Sequence, residues 1–449
     1  MPTLPKTPRL RPLAARVAAL ETLLGYLSPI PKEWLEQPSS RSKGEGMPLT
    51  DCSEYRRLVR AWRKALRWTE GLDHALAVML ASVASTRAVG DQLWVKVIGP
   101  AACGKSTLCE ALAVNREYVL AKSTIRGFHS GYRVEDGNGG ADVSLISQVR
   151  GKTLVTKDGD TLLQSPNLSQ ILSEARDLYD SVSRTHYRNA VSRDYEGVRM
   201  TWILAGTSSL RSIDSSELGE RFLDCVIMDS IDADLEQEVL WRVANRANRN
   251  LSLESNGKPE TQYEPELTEA MSLTGGYVDY LRRNALSELG KVHVSESTLR
   301  RIVSMGLLVA YLRARPSIHQ EEVAERELGT RLVSQLIRLA KCLAFVLNRR
   351  SVDAEVLRRV RKVSLDTARG RTMDIVAHLR ESHPEGLQSK TIAMLTSQGS
   401  SECRKLLRFL RKIDVVEIYR PMDNGITGGE RWRLTERLYT LYKLVLDGE

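Results

Sequence analysis

Apolar positions recur at helical spacing from 53 to 88 (Leu58, Trp62, Leu66, Leu72, Ala75, Leu76, Met79, Leu80), which predicts a helical preface. The rhythm then changes. Short apolar runs at 93–98, 153–157, 200–205 and 223–228 predict buried strands. Helical spacing at 105–114, 142–149 and 167–183 predicts the helices between them. Such alternation implies an α/β fold with a mostly parallel sheet covered on both faces. Turn-rich stretches at 133–141 and 184–199 interrupt it as exposed excursions.

Residues 231–366 read as almost wholly helical, with breaks near 255–266, 274–276 and Pro316. Beyond them, helices fit 371–382, 388–397 and 400–412. Two short strands follow, at 415–420 and 431–435, joined by a Gly-rich stretch at 422–429. Three helices and a β-ribbon are the layout of a winged helix-turn-helix. Residues 1–50 are rich in Pro, Arg and Ser, with one helix expected near 10–26 and a linker at 37–48.

The helical segment 105–114 opens on the most specific signal in the chain. Residues 99–106 read Gly99-Pro100-Ala101-Ala102-Cys103-Gly104-Lys105-Ser106, followed by Thr107. The spacing is G-x-x-x-x-G-K-[ST], the phosphate-binding loop of nucleoside-triphosphate hydrolases. An apolar strand before it and a helix after it are the context the motif needs. The two glycines allow backbone angles that turn N–H groups toward phosphate oxygens, and the helix N-terminus adds partial positive charge. Lys105 is expected on the β- and γ-phosphates of ATP, and the Ser106 hydroxyl on Mg²⁺. The chain then divides into a helical N-terminal region (1–88), a nucleotide-binding core (89–230), a helical lid (231–366) and a winged-helix domain (367–449).

Composition narrows the partners. A chain of 449 residues that is 42% hydrophobic and 27% charged fits a soluble globular protein of two or three domains. No apolar run nears a membrane span, and the N-terminus lacks the apolar core of a secretory signal, so a cytoplasmic protein is expected. The six cysteines form no C-x-x-C pair, so neither a zinc site nor a disulfide framework is expected. The net charge of +9 points to a polyanion such as DNA or RNA, with a merely basic surface as the alternative. With only 4 phenylalanines, base-stacking platforms are not evident.

Hydrolysis needs a second carboxylate-bearing strand. The run 151–158 ends in Asp158, the candidate Mg²⁺-side carboxylate. Position 159 is Gly where a second acid is usual, and Asp160 comes one residue late. Two readings stand: Asp160 supplies the water-orienting carboxylate from a distorted turn, or hydrolysis is slow. Thr207, ending the 200–205 strand, is the candidate γ-phosphate sensor. Arg221, just before the 223–228 strand, is the candidate arginine finger for a neighbouring subunit, with a structural salt bridge as the alternative.

The order of these parts resembles the AAA+ ATPases over roughly 89–345. The run 331–340 looks like the lid helix of minichromosome-maintenance (MCM) helicases. There, an arginine opening the helix senses the γ-phosphate, which implies that role for Arg331 or Arg338. Ser334 stands where an acid is usual. Residues 217–222 are similar to a run in AAA+ proteins of phages and mobile elements. The resemblance implies a hexameric ring with ATP sites between subunits and pore loops on DNA. The 184–199 excursion occupies the place of an MCM pore hairpin, so Arg184, Arg188 and Arg193 are candidate phosphate contacts, with a solvated loop as the alternative. In the winged-helix region, 400–412 carries Arg404, Lys405 and Arg408 as DNA-binding candidates; a protein-contact role is the other reading. Three functions follow: a DNA-translocating helicase or self-loading initiator, an ATP-gated assembly switch, or a DNA-binding regulator with a vestigial ATPase.

Overall fold

A computed structural model describes residues 47–131, 133–134, 141–187, 192–213, 221–227, 265–314, 328–368, 370–423, 426–427 and 429–446, with five single positions between 237 and 245. The expected helix near 10–26, the linker at 37–48 apart from its last two residues, Arg188, Pro316 and most of the 255–266 break lie outside them.

The helical preface is two helices, α1 (Tyr55–Ala65) and α2 (Glu70–Ser85). Thr69 caps α2, its hydroxyl accepting from Leu72 N. The α/β region follows as β1 (Trp94–Ile98), α3 (Lys105–Ala113), β2 (Val119–Lys122), β3 (Arg133–Val134), β4 (Ala141–Asp142), α4 (Leu145–Val149), β5 (Thr153–Thr156), α5 (Gly159–Leu163), α6 (Leu168–Tyr179), β6 (Val182–His186), β7 (Ser192–Glu196), β8 (Thr201–Gly206) and β9 (Phe222–Val226).

Five of these strands form a parallel sheet in the order β2-β5-β8-β1-β9. All four expected strands are present. The fifth, β2, went unread because it lies at the sheet margin and buries only Val119 fully, so its apolar pattern is weak.

Side chains alternate across the sheet, as the pleat requires. Val95, Val97, Ile203, Ala205, Leu223 and Cys225 share one apolar cluster with α2 and α3. Trp94, Ile98, Trp202, Leu204, Phe222 and Val226 share the other with α4 and α6. The rings of Trp94, Trp202, Phe222 and Phe128 pack there with centroids 5.3–5.5 Å apart. The preface is tied to the sheet by hydroxyls as well. Thr86, just after α2, lies 2.9 Å from Thr201 and 3.2 Å from Thr153, oxygen to oxygen.

Two expectations change in this region. The helix expected over 167–183 stops at Tyr179, because Ser181 takes a left-handed backbone with φ 67°. The chain turns there into β6, so the 184–199 excursion is an antiparallel hairpin, β6 paired with β7.

Next come α7 (Pro265–Glu288), α8 (Glu296–Arg313), α9 (Thr330–Val346) and α10 (Ala354–Ala368). Helix α7 runs through 274–276, where a break was expected. Gly275 and Gly276 are there for close approach: the Thr50 carbonyl presses on Gly276 and leaves no room for a Cβ. Thr50 N donates to Ser272 O at 3.3 Å, and the two hydroxyls meet at 2.8 Å. Residues 47–53 thus strap α7.

Helix α10 lies along the free margin of β9. Asp224 N donates to Thr367 Oγ1 at 2.9 Å and Val226 N to Asp366 Oδ2 at 2.8 Å. Lys362 Nζ donates to Val226 O at 2.8 Å. Side chains thereby replace the missing strand partner of a margin that would otherwise hold unpaired donors.

The C-terminal region is α11 (Arg371–Glu381), α12 (Ser389–Leu395), α13 (Ser400–Lys412), β10 (Val416–Tyr419), β11 (Met422–Asp423), β12 (Ile426–Thr427), β13 (Arg431–Leu434) and α14 (Glu436–Leu446). Strands β10 and β13 pair antiparallel. Helix α14 was not expected. It packs on α8, burying Leu438, Tyr442 and Val445. Among the described residues no helix is long and apolar enough to cross a membrane.

Candidate functional site

The loop at 99–106 joins β1 to α3 at the C-terminal end of the sheet. Gly99 N donates to Gly206 O at 3.2 Å, fixing the start of the loop to the end of β8. A Cβ on Gly99 would lie 2.9 Å from Cys103 Sγ. Ala102 (φ 60°) and Gly104 (φ 92°) both take left-handed angles, the alternation that gathers N–H groups into a concave cradle. Gly104 is the N-cap of α3, and the first turn of that helix carries no acidic residue.

Lys105 is 8% exposed and its ammonium points back into the loop. It donates to Gly99 O at 2.8 Å and Pro100 O at 2.6 Å, with Cys103 Sγ at 3.5 Å. All three acceptors are neutral, so a buried positive charge sits in the cradle with no carboxylate bound to it among the described residues. Ser106 is exposed beside it. This combination suits an anionic polyphosphate.

The two acids behave differently. Asp160, at the start of α5, takes hold of Thr207 at the end of β8: Thr207 N donates to Oδ2 at 2.9 Å and Thr207 Oγ1 to Oδ1 at 3.0 Å. The expected carboxylate and the expected sensor are therefore partners, and β8 lies between β1 and β5. Asp158 is exposed and caps α5, accepting from Thr161 N at 3.2 Å and from the Thr161 hydroxyl.

Gly159 has a steric cause. A Cβ there would lie 2.8 Å from Leu204 Cδ1 and 2.7 Å from Leu210 Cδ2. Packing beneath the turn disfavours any side chain at 159 and leaves the carboxylate for position 160. The oxygen donors of Ser106 and Asp158 are the hard ligands Mg²⁺ accepts, and Mg²⁺ usually keeps several waters besides. The donor set therefore fits that ion.

One cation near the loop was not read from the sequence. Lys362 on α10 reaches Val226 O, and Val226 pairs with Ile98, the residue before Gly99. Its signal was hidden among the many basic residues of an amphipathic helix.

Arg221 and Arg331 meet at the opposite, N-terminal end of the strands. Their guanidinium carbons lie 5.4 and 5.7 Å from the centroid of the Tyr179 ring. Arg221 is buried and donates to Asp180 at 2.9 Å. Gln335 Nε2 donates to both Arg221 O and the Tyr179 hydroxyl, at 2.9 Å each. Arg221 precedes Phe222, whose partner Trp94 is five residues before Gly99. Six strand steps, about 20 Å, separate its level from the loop, so neither arginine serves the loop of its own chain. Arg338 is 3% exposed and donates to Ala88 O and Val89 O, a structural placement.

The nucleic-acid candidates divide likewise. In the β6–β7 hairpin, Arg184 is paired with Glu196 at 2.6 Å, and Arg193 lies 3.7 Å from Asp142. On α13, Arg404, Lys405, Arg408, Arg411 and Lys412 are all exposed, while Leu406, Leu407 and Leu410 are buried. Among the described residues none of these five is paired with a carboxylate. No protein-family model matches the chain, and no curated protein matches it.

Proposed function

We propose that this chain is a ring-forming AAA+ ATPase that couples ATP hydrolysis to translocation along, or unwinding of, DNA, as a helicase or self-loading initiator of phage or mobile-element type. The observation that carries this reading is the Asp160–Thr207 bond beside the loop at 99–106. It unites a carboxylate and a hydroxyl where an attacking water and a γ-phosphate would lie.

Each residue has a defined task. The N–H groups of the loop and Lys105 bind the phosphates of ATP. Ser106 and Asp158 hold Mg²⁺, which when bound neutralises charge on the β- and γ-oxygens. Asp160 orients water and keeps Thr207 in place. Arg221 and Arg331, about 20 Å of strand from their own loop, serve the site of the next subunit in the ring. Helices α7–α10 form the lid. The winged-helix region places α13 on DNA, where contacts to phosphate are sequence-blind.

A second reading is an ATP-gated switch that assembles on DNA without processive unwinding. Asp158 capping its own helix and the tightly packed Gly159 favour it, because both leave Asp160 as the one carboxylate directed at Thr207 among the described residues. ATP turnover stimulated by forked DNA, with strand displacement, both abolished by Lys105→Ala, supports the motor. ATP-dependent oligomers that fail to unwind a fork support the switch. DNA binding indifferent to nucleotide, with no turnover, would sink both.

A further inference from the structure

We infer that the chain carries a second anion site, remote from the phosphate loop: a cavity of about 70 Å³ lined by Ala88, Ala285, Leu289, Gly290, Arg338 and Lys341 takes one small tetrahedral oxyanion of the phosphate class.

The cavity lies between the C-terminal end of α7 and the middle of α9, near the segment leading into β1. Its volume is too small for a nucleotide and ample for one oxyanion or a few waters. Its chemistry is one-sided. Arg338 and Lys341 stand one turn apart on one face of α9, and no lining residue is acidic. Arg338 is 3% exposed, and its Nε has no hydrogen-bond partner among the described residues. Its two terminal nitrogens are held by the carbonyls of Ala88 and Val89.

A third cation crowds the same place. Arg199 also donates to Ala88 O, at 2.5 Å, so two guanidinium groups share one carbonyl. Burial, then the neighbouring Arg338, pushes the Arg199 pKa down to about 10. Burial likewise lowers those of Arg338 and Lys341. The C-terminal end of α7 offers about half a negative charge, against two full positive charges on the cavity wall. Asp91 acts on Arg338 and Arg199 from outside the cavity and raises the pKa of each against burial. Buried charges need partners, and an oxyanion supplies one inside the cavity that the lining residues do not. A Cβ on Gly290 would meet nothing within 4 Å, so the side of the cavity near that residue is unobstructed. An anion seated there would bridge α9 to α7 and to the entry of β1.

The test is calorimetric titration of the full chain with inorganic phosphate, in a Lys105→Ala background that weakens binding at the loop. Arg338→Gln also strips the contacts holding Ala88 and Val89, so Lys341→Gln is the variant of choice, with Lys443→Gln, an exposed lysine on α14, as a surface control. The expected result is one phosphate bound per chain in Lys105→Ala, at least tenfold weaker when Lys341→Gln is added and unchanged when Lys443→Gln is added. No binding in Lys105→Ala, or equal affinity with and without Lys341→Gln, overturns the proposal.

Discussion

Asp160 engages Thr207 with both carboxylate oxygens, one on the backbone N–H and one on the hydroxyl. Asp158, two residues earlier, is committed to Thr161. The bond joins the turn after β5 to the end of β8, and the same strand end receives the first N–H of the phosphate loop. Asp160→Ala should therefore reduce ATP turnover by about a hundredfold or more while nucleotide still binds. Asp158→Ala removes a cap, which should cost about 1 kcal/mol of stability in urea titrations, and a Mg²⁺ ligand, so its turnover should fall and recover in part as Mg²⁺ is raised. An active Asp160→Ala, or an Asp158→Ala whose turnover is indifferent to Mg²⁺, would overturn the assignment.

Gly159 bears on the missing acid. Gly159→Asp installs the usual carboxylate but drives its Cβ into Leu204 and Leu210. Overpacking of that kind costs about 1–3 kcal/mol. The variant should melt lower and turn over ATP no faster than the parent. Adding Leu210→Ala should recover part of the stability. Faster turnover in Gly159→Asp would show that a second acid is tolerated and wanted.

Arg221 tests the shared site. Arg221→Ala and Lys105→Ala chains should each be inactive alone, yet mixtures should regain turnover, because some interfaces then combine an intact loop with an intact arginine. Mixtures that show only the sum of their parts count against a role in trans. They would leave Arg221 as the partner of Asp180 and Tyr179.

Salt dependence separates the two basic surfaces. Replacing Arg404, Lys405 and Arg408 by Gln should flatten the slope of log affinity against log salt for duplex DNA by about 2.7, or about 0.9 per lost phosphate contact. Arg184→Gln should change it less, since Glu196 already neutralises that guanidinium. The opposite ranking would place the main contact on the hairpin.

His74 gives the fold an acid limit. It is 2% exposed, and its Nε2 has no partner among the described residues. Burial, and then Lys362, Arg359 and Arg358, hold its imidazole well below the usual range. The unfolded chain takes up this proton near pH 6.5 and the folded chain does not. Stability from His74 is thus present above pH 6.5 and lost as pH falls below it, by up to about 1.4 kcal/mol per pH unit. Denaturation at pH 5, 6 and 7 should show a shallower fall in His74→Gln. Identical slopes would remove His74 from the account.

Much of the core was legible because local chemistry dictated it. Gly104, Lys105 and the apolar strand before them announce their own geometry, and the buried runs at 93–98 and 200–205 became β1 and β8. Long-range compensation was not legible. Gly275 and Gly276 look like a helix break until Thr50 is laid against them. The 167–183 helix ends early on the backbone of Ser181, a residue with no turn preference strong enough to read. Gly159 looked like a gap in catalytic machinery, and only Leu204 and Leu210, more than 40 residues away, explain it. Arg221 and Arg331 could be named singly, but their common contact with Tyr179 depends on three distant segments.

The margin of β9 has a bearing on how copies of this chain could meet. With Asp224 and Val226 donating to Thr367 and Asp366, and Val226 O accepting from Lys362, the C-terminal half of that edge is already occupied by α10 side chains. Extending the sheet to a neighbour there would first require those side-chain bonds to break. Any contact on that side must be read through the outer face of α10, whose side chains can be separated again without unravelling the β9 margin. A joint of that type suits repeated opening and closing.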